Sequence, residues 1–273
     1  MINTFRNPLR GLGLAALLAL GSTSVMADVT LKDGTVLSDE PTFIVTYIEV
    51  DASKSDEALD LIKKQAKDSA SETGLLRFEG LQRLGQDNHF IVLETWATPE
   101  DRSAHAAAEH TLAYRNALEP LLYAPYDERP HVGLVAAAPS DVPAGTSSTV
   151  YVITHADIIP PEQFAPCDRQ VDPAGPCGNE MMTDLAEFSR THDGNMRFDV
   201  LTQSNRGNHM SVVEMWDSQA SQEAHQVQPD KKQFRNELAG IVPEGGVNAD
   251  PQFVPNMLTG SLWDERLYKL VTE

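Results

Sequence analysis

The chain has 273 residues and a formal net charge of −19, because 40 acidic side chains outnumber 21 basic ones. This acidic balance argues against nucleic acid or an anionic membrane as a partner, since both require clustered lysine and arginine. A content of 41% hydrophobic residues is that of an ordinary globular protein, and the length allows one large domain or two smaller ones. Two cysteines exclude a disulfide-dense scaffold.

The first 27 residues are typical of a secretory signal peptide. Arg6 and Arg10 precede an apolar run over 12–20, and small residues lead up to Ala27. The apolar run is far shorter than the roughly 20 residues that a membrane anchor needs. We therefore predict cleavage after Ala27, export to a bacterial periplasm or to the outside, and no membrane contact of the mature chain.

The chain repeats itself at a constant offset of 120 residues. Gly74–Leu118 aligns with Gly194–Leu238 without gaps, and 14 of 45 positions are identical where composition alone predicts about three. The identical pairs include Asn88/Asn208, His89/His209, Glu94/Glu214, Trp96/Trp216, His105/His225 and Arg115/Arg235. We therefore predict one domain present twice, over 42–135 and 148–273, joined by a Pro-, Ala- and Ser-rich linker over 136–147.

Each copy is predicted to follow the order β-α-β-β-α-β. Before the first copy, Asp33-Gly34 gives a weak hairpin signal. The predicted elements of the first copy are a strand over 43–50, a helix over 58–70, strands over 75–84 and 89–96, a helical stretch over 99–122 and a last strand from about 127. This is the order of the ferredoxin-like unit. The predicted fold class is α+β, with two ferredoxin-like repeats packed sheet to sheet as one intramolecular barrel.

The second copy is longer than the first by 12 residues early and by 17 residues late. Cys167 and Cys177 fall around the early excess, in a Pro-rich segment. In an oxidising compartment we expect a disulfide that closes this loop and contributes about 2–3 kcal/mol. A redox pair is the alternative, although the spacing differs from Cys-x-x-Cys.

One motif in the first copy, Glu94-x-Trp96 followed by His105 and His110, resembles the antibiotic biosynthesis monooxygenase domain of the dimeric α+β barrel superfamily. The second copy repeats the motif but has Asp230 in place of His110. The resemblance implies a covalent version of the usual homodimer, so we expect a monomer with pseudo-dimeric halves or a homodimer of these. It also implies oxidation of a small phenolic or quinol-like compound by O2 without a cofactor.

The candidate catalytic residues are the histidines of this motif: His105, His225 and His110. A neutral imidazole at His105 or His225 would accept a phenolic proton, and the phenolate would pass an electron to O2. Because Asp230 replaces His110 in the second copy, we expect only the first pocket to be active. The alternative is that these histidines are half-buried side chains with satisfied hydrogen bonds.

The candidate substrate-binding residues are Trp96, Trp216, Asn88, Asn208, Arg115 and Arg235. The tryptophans would form an aromatic wall for a flat small molecule, and the arginines would bind an acidic group on it. Each of these residue types, tryptophan, asparagine and arginine, also has a structural alternative. These alternatives are core packing for tryptophan, local hydrogen bonds for asparagine and pairing with a carboxylate for arginine.

The resemblance implies that no cofactor is needed and that molecular oxygen is the co-substrate. In the haem-degrading branch of the family, the resemblance implies an axial histidine about ten residues after the position of His105, where this chain has Arg115. Arginine stays protonated and cannot ligate iron, which disfavours haem, although His110 remains as a ligand in the first copy. No His, Cys and carboxylate cluster has zinc spacing, so no metal is predicted. The rival functions are a non-catalytic periplasmic binding or stress protein on the same barrel and a haem-linked oxidase.

Overall fold

The computed structural model describes residues 29–30, 36–157, 178–238 and 262–272. The predicted signal peptide and the predicted pair Cys167 and Cys177 lie outside the described residues. Both segments in which the second copy is longer than the first lie largely outside them as well. Among the described residues, no helix is long and apolar enough to cross a membrane.

The described elements follow the predicted order in both copies. A short antiparallel pair, β1 (Val29–Thr30) and β2 (Val36–Leu37), precedes the first copy and flanks the predicted turn. The first copy consists of β3 (Thr42–Glu49), α1 (Ser55–Ser69), β4 (Leu75–Arg83), β5 (His89–Trp96), α2 (Pro99–Ala107), α3 (Glu109–Leu118) and β6 (Asp127–Val135). The second copy consists of β7 (Val150–Asp157), α4 (Gly178–Ser189), β8 (Asn195–Gln203), β9 (Arg206–Trp216), α5 (Gln219–Gln226), α6 (Pro229–Leu238) and β10 (Leu262–Leu270).

The helical stretch predicted over 99–122 is not continuous, because it is divided into the two helices α2 and α3. Thr98 caps the start of α2 by accepting a hydrogen bond from the backbone N–H of Asp101, and Pro99 occupies the first turn. Ala108 is extended, at φ −65° and ψ 144°, which ends α2 before α3 begins. The break brings His105, near the end of α2, close to His110, near the start of α3.

The two sheets close into one barrel of eight strands, in the order β10-β4-β5-β3-β6-β8-β9-β7. The last strand of each copy makes the connection, because β6 pairs with β8 and β10 pairs with β4. These two pairings form hydrogen bonds along the strand edges that each sheet on its own would leave exposed. The predicted α+β barrel of two ferredoxin-like repeats is confirmed.

Apolar side chains form three cores, one inside the barrel and one under the helices of each copy. The barrel interior holds Phe43, Ile91, Val213 and Tyr268 among others, from both copies. A second core lies between the helices and sheet of the first copy, and a third occupies the same place in the second copy. Along β5, Ile91 belongs to the barrel interior and Val92 to the core under the helices, as the strand alternation predicts.

A buried network of charges also joins the two copies. Arg197 Nη1 lies 3.1 Å from Glu79 Oε2, and Arg197 Nε lies 2.5 Å from Asp199 Oδ2. Glu79 also pairs with Arg77 at 2.7 Å and accepts a hydrogen bond from the Tyr151 hydroxyl at 2.7 Å. Burial alone would raise the pKa of Glu79, but the two guanidinium groups hold it below its usual value. The network therefore depends on every partner being present.

Candidate functional site

The first copy encloses a small space between its helices and its sheet, with a volume of about 10 Å³. A space of this size holds about one water molecule. Its lining includes Gln65, Phe78, Val92, Glu94, Arg102, His105, Thr111, Tyr114, Arg115, Tyr126 and Glu128. The lining combines one imidazole, one buried carboxylate and two phenols.

His105 is held at this space by a carboxylate on its outer side. The side chain is 5% exposed, and Nδ1 lies 2.5 Å from Glu72 Oε2. We assign the proton to Nδ1, which then donates to Glu72 and leaves Nε2 as the acceptor nitrogen of the ring. Nε2 lies 3.4 Å from the Thr111 hydroxyl and 3.5 Å from the Gln65 side-chain nitrogen, both of which can donate to it, and 3.9 Å from Glu94 Oε2. A base whose other nitrogen is oriented by a carboxylate is the arrangement that general-base catalysis requires.

Trp96 packs behind this histidine. It is fully buried, and its ring centroid lies 4.7 Å from that of His105. Its indole Nε1 donates to Glu94 Oε2 at 2.8 Å. Burial raises the pKa of Glu94. Trp96 is therefore placed to position His105 and Glu94, and it does not border the enclosed space itself.

The outer side of the space is closed by two ion pairs to one carboxylate. Arg115 Nη1 lies 3.0 Å from Glu128 Oε2, and Arg102 contacts the other oxygen of Glu128. The Arg115 guanidinium also stacks over the Tyr126 ring at 4.2 Å. The side chain of Arg115 is 39% exposed, so this is where the space meets solvent.

Glu72 was not predicted as a site residue, although the repeat contained a signal for it. Glu72 Oε2 contacts His110 Nε2 at 3.5 Å as well as His105. At the offset of 120, Glu72 aligns with His192 and His110 aligns with Asp230. A carboxylate and a histidine have exchanged places, so each copy keeps two histidines and one carboxylate. A search for identical positions overlooks such an exchange.

In the second copy the same residue types make a different network. His192 lies between two partners, with Nδ1 2.8 Å from His225 Nδ1 and Nε2 3.1 Å from Asp230 Oδ2. The His225 ring lies 4.6 Å from that of Trp216. Burial, with a contribution from nearby Lys231, lowers the pKa of His225 to about 3. His225 is therefore neutral at physiological pH and is a weak proton acceptor.

Two charged residues are buried beside His225. Lys231 occupies the position that aligns with Thr111, and its Nζ lies 4.0 Å from Glu265 Oε2. Glu214 is fully buried and accepts a hydrogen bond from Trp216 Nε1 at 2.8 Å. Burial raises the pKa of Glu214 to about 7, even though Lys231 opposes the shift. The second copy thus has a buried lysine where the first has a smaller, neutral threonine, so the surroundings of the two histidines differ in both volume and charge.

The raised pKa of Glu214 predicts a loss of stability as the pH rises. The folded chain holds this proton up to about pH 7, whereas the unfolded chain releases it near pH 4.3, so the free energy of unfolding falls between these values. Glu214→Gln is expected to remove about 1–3 kcal/mol of that fall. Urea unfolding at pH 5 and pH 8 measures the difference, with exposed Glu223→Gln as control. Equal pH dependence in both variants would contradict the expectation.

The remaining predicted residues lie elsewhere and make structural hydrogen bonds. Asn88 donates from its side chain to the backbone carbonyl of Val50 at 2.9 Å. Asn208 donates to Asp157 Oδ1 at 3.2 Å. Arg235 is exposed and donates to the end of α5 at 3.1 Å. The structure thus brings together His105, His110, Trp96 and Arg115 in the first copy, and His225 and Trp216 in the second.

A larger cavity, of about 540 Å³, lies between the two copies. Its lining includes Tyr47, Glu49, His89, Tyr126, Asp127 and Arg129 from the first copy and Ile153, His155, Asp264, Arg266 and Tyr268 from the second. Arg129 Nη1 lies 3.0 Å from His155 Nδ1 and so connects the two sets. This cavity forms only when the barrel closes, and no pattern in the sequence predicted it.

A closed barrel of two ferredoxin-like halves, each with a Trp–His pair under its helices, defines a tandem α+β barrel protein. The family model described as antibiotic biosynthesis monooxygenase matches residues 41–117 and 180–237, one region in each copy. The chain therefore belongs to the antibiotic biosynthesis monooxygenase family and carries its domain in tandem.

Solved structures show the same fold over most of the chain. A candidate monooxygenase from Fusobacterium nucleatum matches with a TM-score of 0.65 and 12% identity, over 85% of this chain and 93% of that one. A candidate monooxygenase from Lactobacillus acidophilus gives 0.59 and 12%, over 85% and 95%. An anthrone oxidase-like protein gives 0.53 and 14%, over 85% and 92%. No curated protein matches the chain.

Proposed function

We propose that the chain is an exported, cofactor-independent monooxygenase that oxidises a small phenolic or quinol-like compound with O2. Family membership supports monooxygenase chemistry, and the signal-like first 27 residues support export. The observation that carries the proposal is the pairing of His105 with Glu72, which leaves Nε2 as the acceptor nitrogen beside an enclosed space. We assign the second copy, with its neutral His225, a structural role in the barrel and no catalytic role.

The proposed reaction begins with proton transfer. His105 accepts the phenolic proton at Nε2, and its Nδ1–H remains bonded to Glu72, which stabilises the imidazolium. The phenolate passes one electron to O2, and the two radicals combine at a ring carbon. His105 returns the proton to the peroxide, the O–O bond breaks and the ring C–H proton leaves. One oxygen atom ends in a quinone carbonyl and the other in water, and the substrate supplies all four electrons.

The size of the enclosed space decides where each reactant binds. Its 10 Å³ holds a molecule of the size of water or O2 but not an aromatic ring. We therefore place the ring on the outer side, where Arg115 meets solvent, after Glu128 releases the two arginines. The phenolic hydroxyl then points into the space, so that its proton reaches His105 Nε2 directly or through the one water molecule that the space holds.

Oxygen uptake tests this proposal. Metal-free protein would be given a panel of hydroquinones and phenols, and uptake is expected above the uncatalysed rate with water rather than hydrogen peroxide as the reduced product. No uptake across the panel would contradict it and favour a binding protein. A Soret band on the purified protein would favour the haem-linked oxidase.

A second candidate function, small-molecule binding without catalysis, is favoured by the cavity between the copies. A volume of about 540 Å³ is in the range of small-molecule sites. Arg129, Arg266 and the rings of Tyr47 and Tyr268 offer hydrogen bonds and stacking to a small aromatic molecule. Calorimetry with the same panel tests it. Binding lost in Arg129→Ala and retained in His105→Ala would support this function, and the reverse pattern would contradict it.

A further inference from the structure

We propose that the first copy binds a divalent transition-metal ion through Glu72, His105 and His110. One donor atom from each of these side chains lies within 4.8 Å of the other two. Two imidazoles and one carboxylate suit zinc or iron(II) and leave coordination positions for water. The sequence predicted no metal here because the spacing matches no zinc motif, and because Glu72 joins the histidines only in the folded chain.

The donor atoms need small movements to surround an ion. Bonds of about 2.1 Å require donors about 3.0–3.4 Å apart. His110 Nε2 already lies 3.5 Å from Glu72 Oε2. His105 Nδ1, at 2.5 Å from the same oxygen, must move away by about 0.5–0.9 Å, and the two histidine nitrogens, which lie within 4.8 Å of each other, must approach to about 3.0–3.4 Å. The break at Ala108 makes the site feasible, because it lets two histidines five residues apart converge.

The surroundings also fit a metal centre. The side chains of Glu72 and His110 are 20% and 24% exposed, so an ion has access from solvent. On the buried side, Glu94 Oε2 lies 3.9 Å from His105 Nε2. A carboxylate behind the second nitrogen of a ligating imidazole is the usual outer partner in metalloproteins. Because 3.9 Å is longer than a hydrogen bond, Glu94 would have to move closer to hold the proton on Nε2 and direct Nδ1 toward the ion.

The second copy provides an internal comparison. Of its three corresponding side chains, His192 lies between the other two, because one of its nitrogens contacts His225 and the other contacts Asp230. Lys231 is fully buried beside His225, where the first copy has the neutral Thr111. A fixed positive charge next to the donors disfavours a cation. We therefore expect one ion per chain, in the first copy.

Metal binding would oppose the base role of His105, a consequence that rests on the proposed function. An ion on Nδ1 places the remaining proton of the neutral ring on Nε2, which then cannot accept another. A divalent metal is therefore expected to inhibit the oxidation, and a chelator is expected to restore it. Binding itself does not depend on the oxidation.

Calorimetric titration of the mature chain with Zn²⁺, and absorption spectra with Co²⁺, test the site directly. One ion per chain is expected. Glu72→Gln and His110→Ala should each lower the affinity by at least about 100-fold, since losing even an outer partner of a ligand costs 10- to 100-fold. The matched control is His192→Gln, which should bind as wild type does. Far-UV circular dichroism checks that each variant is folded.

A gain-of-site variant completes the test. His192→Glu with Asp230→His and Lys231→Thr gives the second copy the residues of the first, and it should raise the stoichiometry from one ion to two. Absence of binding to wild type would overturn the proposal. So would equal affinity in wild type, Glu72→Gln and His110→Ala. Because these measurements follow the ion and not the reaction, they remain decisive if the proposed oxidation proves wrong.

Discussion

His105→Ala is expected to lower the rate of oxygen uptake by about 10²–10⁴-fold, the range that a positioned general base contributes. His105 is oriented by Glu72, with Nε2 as the acceptor nitrogen. Neighbouring Glu94 is a poor replacement because its carboxylate already accepts the hydrogen bond of Trp96 Nε1. The measurement is kcat for the best substrate of the hydroquinone panel, in an oxygen electrode.

The matched control for this prediction is the same change in the other copy. His225→Ala should change kcat by less than about twofold, since a histidine with a pKa near 3 contributes little as a base at neutral pH. His225 is as buried as His105 and packs on the equivalent tryptophan. Comparable losses in both variants would show that the effect is structural and that the two copies are equivalent.

Arg197→Met is expected to lower the free energy of unfolding by about 3–5 kcal/mol, because removing one partner of a buried ion pair leaves charges uncompensated. Arg197 contacts Glu79 from the other copy and Asp199 from its own, and all three are buried. Urea unfolding at pH 7 measures the loss. Arg206→Met, at an exposed position of β9, should cost less than about 0.5 kcal/mol.

The pH dependence gives this prediction a second readout. The pKa of Glu79 is lowered in the folded chain, so its contribution to stability is present above the unfolded value of about 4.3 and is lost as the pH falls through the folded value. Arg197→Met removes part of that lowering. The difference in unfolding free energy between wild type and variant should therefore shrink below pH 4. A difference within 1 kcal/mol at pH 7, or one independent of pH, would contradict the role given to this network.

The fold could be predicted because the repeat preserves the residues that determine local geometry. Gly74 and Gly194 both have positive φ, 76° and 82°, in the turn before the second strand of each copy. In both copies the Glu-x-Trp motif makes one hydrogen bond, from the indole to the carboxylate. A motif that stabilises the sheet identifies the family, but by itself it says little about the reaction.

The pairing across the barrel could not be read from the sequence. β6 with β8 and β10 with β4 are long-range contacts between strands whose alternation would suit several neighbours. The cavity between the copies follows from that closure, so its residues carry no local signal. Glu72 escaped notice for a different reason, because it lies in a turn after α1 and its counterpart in the second copy is His192. Only the fold places it against His105.

Oxidation under ¹⁸O2 tests most directly whether the first copy is a cofactor-independent monooxygenase. Metal-free protein, with a chelator and no added flavin or haem, would turn over the best hydroquinone or phenol of the panel, and the product would be analysed by mass spectrometry. We predict one labelled oxygen atom in the quinone and one in water, with the rate lost in His105→Ala. An unlabelled product, or a reaction that proceeds only after a metal, flavin or haem is added, would contradict it.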